Sequence, residues 1–258
     1  MLQKKIKTKD AGDGLSRTKY YNIENDITQP TYDDLLLILK NLNMDVVEFE
    51  FIRNNKQTSE RVQLLNRFQS HGHSLKAQKG RKLVEDLKKY GEQHNDTQIL
   101  NLGLVLDAIN ILTFDEDLKK ANAVVEPVWK RLKSQENWLL YDIIALNNML
   151  YHLTEEEFQI YLPKLFESVE SYEGILDSKR ATVLVNVNIA YGLRQKHKFS
   201  ESKPFLEEAI KHAESYNLVM YYDLLYKLAE VLYVEGERGE ANRLAIESID
   251  MLVSLKKK

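Results

Sequence analysis

Asn147, Asn186, Asn188, Tyr191 and Arg194 carry the most specific binding chemistry in this chain. A carboxamide presents a donor and an acceptor side by side, so it can hold the backbone of an extended peptide without reading its side chains. An arginine further along the same helix can pair with a carboxylate, and a tyrosine ring can take an apolar side chain. The amides can equally bond neighbouring helices, and the sequence leaves both readings open. The histidines at 71, 73, 94, 152, 197 and 212 are scattered. His71-Gly-His73 offers two ring nitrogens with no third ligand nearby, so no metal site is expected. There is no cysteine, which excludes disulfides and thiolate sites. A Gly-rich phosphate loop, Gly-x-Ser-x-Gly and His-Glu-x-x-His are all lacking, so neither an enzyme nor a cofactor is expected. Glu155-Glu156-Glu157 and Glu207-Glu208 read as solvated helix starts, favoured there by the helix dipole.

The elements that must position these residues are helices. The chain has 258 residues, 43% of them hydrophobic, with only 4 prolines and 10 glycines; an all-β fold needs more turn punctuation. Thr31 with Asp34, and Asp45 with Glu48, have the spacing of helix N-terminal capping boxes. Leu35, Ile38, Leu39 and Leu42 fall on one helical face. The polar run Asn54 to Ser59 separates an N-terminal region, residues 1–53, from a helical region, residues 59–258, with 54–58 as linker. Beyond it, polar breaks cut the chain into about ten helices of usual length. No run reaches the roughly 18 apolar residues of a membrane span, and the start has no apolar signal core.

The helices repeat. An offset of 41 superimposes Asn147 on Asn188, Phe158 on Phe199, Pro163 on Pro204 and Leu165 on Leu206. An offset of 39 superimposes Ala190 on Ala229, Leu206 on Ala245 and Ile210 on Ile249. Pro127 with Trp129 marks an earlier copy, and each proline is expected in a first helical turn, where its missing N–H costs nothing. A period of about 40 residues with two helices per unit is a helical solenoid, whose first helices line a concave recognition groove. The fold class is all-α: a helical-repeat solenoid, which two sequence resemblances mark as tetratricopeptide-like with a small, incomplete N-terminal helix-turn-helix region.

The segment from Asn188, NIAYGLRQKHKFSESKPFLEEAIKHA, resembles the tetratricopeptide consensus. LSRTKYYNIENDITQPTYDDLLLILKNLNMDVVEFEF resembles the second half of a Cro/repressor-type helix-turn-helix domain. With ENWLLYDIIALNNMLYHL, carrying Trp138, Tyr141-Asp142 and Asn147, the chain resembles the Rgg/GadR/MutR regulators. The resemblance implies a cytoplasmic transcription regulator, typically a homodimer, that senses a short signalling peptide in its repeat groove. It strengthens the peptide-binding reading of Asn147, Asn186, Asn188, Tyr191 and Arg194, and places any DNA contacts at Arg17, Thr18, Lys19 and Asn22. The apolar C-terminal residues Leu244, Ile246, Ile249, Leu252 and Val253 suit a dimer face.

One departure concerns DNA. The family's Arg-Phe-Glu-Arg phrase has Asn22 and Asn25 at its arginine positions, removing two guanidinium groups suited to phosphate or guanine. Two further helices of the reading fold need roughly 30 residues before the recognition helix, and 15 residues precede Ser16. The expectation is either impaired DNA binding or a true start further upstream, with a helical-repeat interaction module that never touches DNA as the alternative. The net charge is −3, but the first 19 residues carry +4 through Lys4, Lys5, Lys7, Lys9, Arg17 and Lys19 against Asp10 and Asp13. Such an arm can touch phosphates without sequence preference.

Overall fold

The computed structural model describes residues 8–71, 77–175 and 177–256. His73 and the arm residues Lys4, Lys5 and Lys7 lie outside them. All regular structure among the described residues is helical. The chain divides into two compact units, Met1–Asn66 and Arg67–Lys258.

The first unit holds α1 (Thr8–Ala11), α2 (Arg17–Glu24), α3 (Tyr32–Asn41) and α4 (Val46–Arg53). Ser16 caps α2 by accepting the Lys19 N–H at 3.2 Å. Thr31 and Asp34 form the full reciprocal capping box of α3. Asp45 accepts the Glu48 N–H at 2.7 Å, so α4 has a side-chain cap but not the reciprocal box. Asp34, 6% exposed, also accepts Lys19 Nζ at 2.8 Å, joining α2 to α3. The Lys19 ammonium, followed by the Thr31 hydroxyl, holds the Asp34 carboxyl below its ordinary pKa. Asn41 closes the unit by donating to the Ala11 and Asp13 carbonyls at 3.1 and 2.9 Å.

The helix α5 (Glu60–His71) crosses into the second unit, which continues with α6 (Ala77–Gln93), α7 (Thr97–Asn110), α8 (Leu118–Lys133), α9 (Leu140–Asn147), α10 (Glu155–Ser171), α11 (Ser178–Gln195), α12 (Phe199–Tyr216), α13 (Leu218–Glu235) and α14 (Arg238–Lys256). Short connections make sequential helices neighbours, and α6–α7, α7–α8, α11–α12, α12–α13 and α13–α14 are the main packed pairs. The stretch Thr97–Asp115 is apolar and long enough to cross a membrane by length and composition. It is instead a core element: Ile99, Leu102, Val105 and Ala108 are fully buried.

The repeat read from the sequence reappears in burial. Trp129, Leu165 and Leu206, each two residues after a proline, are 4%, 0% and 0% exposed, and Ala190 and Ala229 are 1% and 3% exposed. The prolines themselves depart from the first-turn expectation. Pro127, Pro163 and Pro204 lie inside α8, α10 and α12. Each is exposed, so water can satisfy the carbonyl that the absent N–H leaves free. A left-handed residue, Gly236 at φ +91°, ends α13, a conformation glycine adopts without a Cβ penalty.

Where α11 runs for 18 residues, α9 stops at Asn147 after 8. The chain then passes through the 3₁₀ turn Leu150–His152. The backbone of this turn lies against Gly192 of α11, where a Cβ would meet the Tyr151 Cα at 3.1 Å. His152 anchors the turn to α8, its ring nitrogens each 3.1 Å from Asn122 Oδ1 and Glu126 Oε2. Burial lowers the His152 pKa, outweighing the opposing pull of Glu126. A folded pKa below the unfolded value of about 6.5 means that the unfolded chain binds the proton first. Stability is therefore expected to be full above that pH and to fall as pH drops towards the folded pKa. Urea midpoints at several pH values check this; His152→Gln should flatten that part of the profile, and a gain in stability on acidification would show Glu126 prevailing over burial.

Candidate functional site

The phrase Trp138…Asp142…Asn147 divides, in the structure, into braces and a free amide. Trp138 is 4% exposed, donates from its indole N–H to the Leu132 carbonyl at 2.9 Å and has Lys164 Nζ 4.3 Å above its ring. Asp142 is 2% exposed; it accepts the Leu139 N–H at 3.1 Å and Arg131 Nη2 at 2.5 Å. These residues lock the α8–α9 corner. Asn147 follows at the last position of α9, and its Oδ1 is buried without a hydrogen-bond partner.

On α11 the partly exposed stripe is Leu184, Asn188, Tyr191 and Gln195, spaced as one helical face. Asn188 makes no side-chain hydrogen bond to the protein. Gln195 hydrogen-bonds Tyr191, whose pKa is raised by burial. Beside it lies Tyr151, not singled out in the sequence, with a buried hydroxyl that has no partner. Burial, then the neighbouring Tyr191, pushes its pKa above the usual phenol range. The signal for it was present in the sequence: Tyr151 stands four residues after Asn147, much as Tyr191 stands three after Asn188.

Arg194 is committed elsewhere. Its Nη2 pairs with Glu230 of α13, and the guanidinium carbon sits 5.7 Å from the Phe199 ring centroid, although Nη1 remains buried and unpartnered. Glu230 lies 36 residues away and no sequence signal announced it. Asn186 lies two positions from Asn188, a rotation of about 200° on a helix, so it points to the opposite side. It is 5% exposed and lines a separate pocket with Thr182 and Glu170. The structure thus brings Tyr151 and Tyr191 together and sets Asn186 apart from Asn188.

In the first unit, Arg17 and Thr18 are exposed on α2, Lys19 is tied to Asp34, and Asn22 is half-buried, its carbonyl accepting the Ile27 and Thr28 N–H groups at 2.8 and 3.2 Å. No side chain of α2 is buried. Among the described residues no group of three His, Asp or Glu is placed to hold a metal ion.

Stacked helix pairs, with the free amides of Asn147 and Asn188 on α9 and α11, define a helical-repeat protein. Residues 81–258 match the C-terminal domain of the HTH-type transcriptional regulator Rgg, and the chain belongs to that family. Solved structures with a similar fold include a Listeria monocytogenes EGD-e protein assigned to the transcriptional regulators (18% identity, TM-score 0.64, 97% of this chain and 86% of that one). Bacillus thuringiensis PlcR, solved in complex with the peptide PapR7 and DNA, is 16% identical with a TM-score of 0.60, over 97% of this chain and 92% of that one. The Streptococcus dysgalactiae SHP pheromone receptor Rgg2 is 17% identical with a TM-score of 0.55, over 98% and 90% respectively.

Proposed function

We propose that this protein is a cytoplasmic transcription regulator of the Rgg type that senses a short signalling peptide in the groove lined by its first helices. The observation that carries the reading is the pair Asn147 and Asn188, equivalent in the repeat and without side-chain hydrogen bonds to the protein. An unmet buried polar atom costs roughly 1–3 kcal/mol, which a peptide backbone supplying the missing partner would recover. Family membership and the peptide-bound relative PlcR support it. Calorimetric titration against a library of synthetic seven- or eight-residue apolar peptides tests it; saturable binding by at least one member is expected, and none across the library would leave only a plain interaction module.

The protein acts as a homodimer in this proposal. Ile246, Ile249 and Val253, spaced as one stripe of α14, are 62%, 48% and 48% exposed, an apolar surface that association would cover. Light scattering should give twice the chain mass at micromolar concentration; a monomer there would remove the dimer.

DNA binding is weak in the same proposal, since α2 buries nothing, Lys19 is occupied by Asp34, and Asn22 and Asn25 replace guanidinium groups. Gel-shift titration of this 258-residue chain is expected to show binding that ignores sequence and falls steeply with salt. A salt-resistant, sequence-specific footprint would contradict it.

A further inference from the structure

A pocket of 390 Å³ opens on the side of α11 opposite Asn188. It is walled by the end of α10 with the turn that follows and by the second half of α12, and floored by the first turns of α11. Its polar lining among the described residues is Glu170, Glu173, Thr182, Asn186, Glu208 and His212, with no lysine or arginine among them. Glu208 is held by Lys211 at 2.6 Å. Among the described residues, Glu170 and Glu173 have no ion-pair partner.

Asn186 adds a second, independent feature. The residue is 95% buried, by its 5% exposure, and its Nδ2 donates to the Thr182 carbonyl at 2.9 Å. That bond fixes which end of the carboxamide is which, because only the NH₂ group can face a carbonyl. Among the described residues no donor reaches Oδ1. An oriented acceptor at the floor and unpaired carboxylates at the rim make a site that favours donors carrying positive charge. The carboxylates do not converge: no three acidic or histidine side chains are grouped for a metal ion among the described residues. The space also far exceeds the roughly 30 Å³ of one water. A cation with its charges spread along an apolar chain matches both facts.

We infer that this pocket binds an aliphatic polyamine, with one ammonium donating to Asn186 Oδ1 and the next lying between Glu170 and Glu173. The intervening methylenes pass over Val183, the apolar member of the lining. The site is separate from the peptide groove and does not depend on it.

Calorimetric titration of the full chain with spermidine tests the inference. Saturable binding is expected, weakening as ionic strength rises. The rim variant E170Q/E173Q should lose about tenfold in affinity, since each exposed pair contributes modestly, with unchanged circular dichroism because both side chains are exposed. N186A should lose about tenfold or more; if it unfolds, the rim variant decides. N-acetyl-lysine methylamide, which carries one ammonium, should bind far more weakly than spermidine. No saturable spermidine binding, affinity indifferent to E170Q/E173Q, or equal binding of the lysine analogue would each overturn the inference.

Discussion

Replacing Asp142 by alanine should destabilise the second unit by about 3–5 kcal/mol, the usual effect of breaking a buried ion pair from one side. The carboxylate is 2% exposed, while the Arg131 side chain that it holds is 26% exposed. Asp142→Ala removes the Arg131 bond and the acceptor of the Leu139 N–H together. Arg131 already has a buried Nε without a partner, so nothing nearby takes over the lost contact. The expected result is a large drop in the urea midpoint. Asp142→Asn should be milder, since an amide oxygen can still accept from Leu139. A loss below about 1 kcal/mol for Asp142→Ala would place the pair among ordinary surface ion pairs and remove the brace from this account.

Asn147→Ala and Asn188→Ala should behave in the opposite way: each should weaken peptide binding by about 1–3 kcal/mol with little change in unfolding midpoint. Neither amide braces a neighbouring helix, since neither bonds to the protein through its side chain. Equivalent positions one repeat apart are two helix layers apart, roughly 20 Å. An extended peptide covers that distance in about six residues, which sets the length of ligand that both amides can hold. If both substitutions lower the unfolding midpoint sharply and leave peptide affinity unchanged, the amides are structural.

The parts of this architecture that were legible in the sequence are those set by local rules. The capping box of Thr31 and Asp34 and the registered pairs Leu165/Leu206 and Ala190/Ala229 depend on residues within one helix or on a strict repeat. The prolines were legible as repeat markers but not in place, because a first-turn rule says nothing about exposed sites in the middle of a second helix. Three features lay beyond sequence reading for one reason: they join helices that the sequence keeps apart. Arg131 with Asp142 fixes a corner, Arg194 with Glu230 ties α11 to α13, and His152 with Asn122 and Glu126 ties the 3₁₀ turn to α8. Arg194 shows the consequence. Its residue type suggests a carboxylate reader, and the carboxylate that it reads belongs to the protein. Asn186 shows another limit, since one helical wheel separates it from Asn188 while linear proximity groups them.

Where a peptide sits decides the account most directly. A photo-reactive phenylalanine analogue at Tyr191, on the partly exposed face of α11, can be compared with one at Ile160, 59% exposed on α10. With a peptide selected from the binding library, cross-linking is predicted at 191, reduced by Asn188→Ala and absent at 160. Cross-linking at 160 with none at 191 would contradict the groove as the sensor.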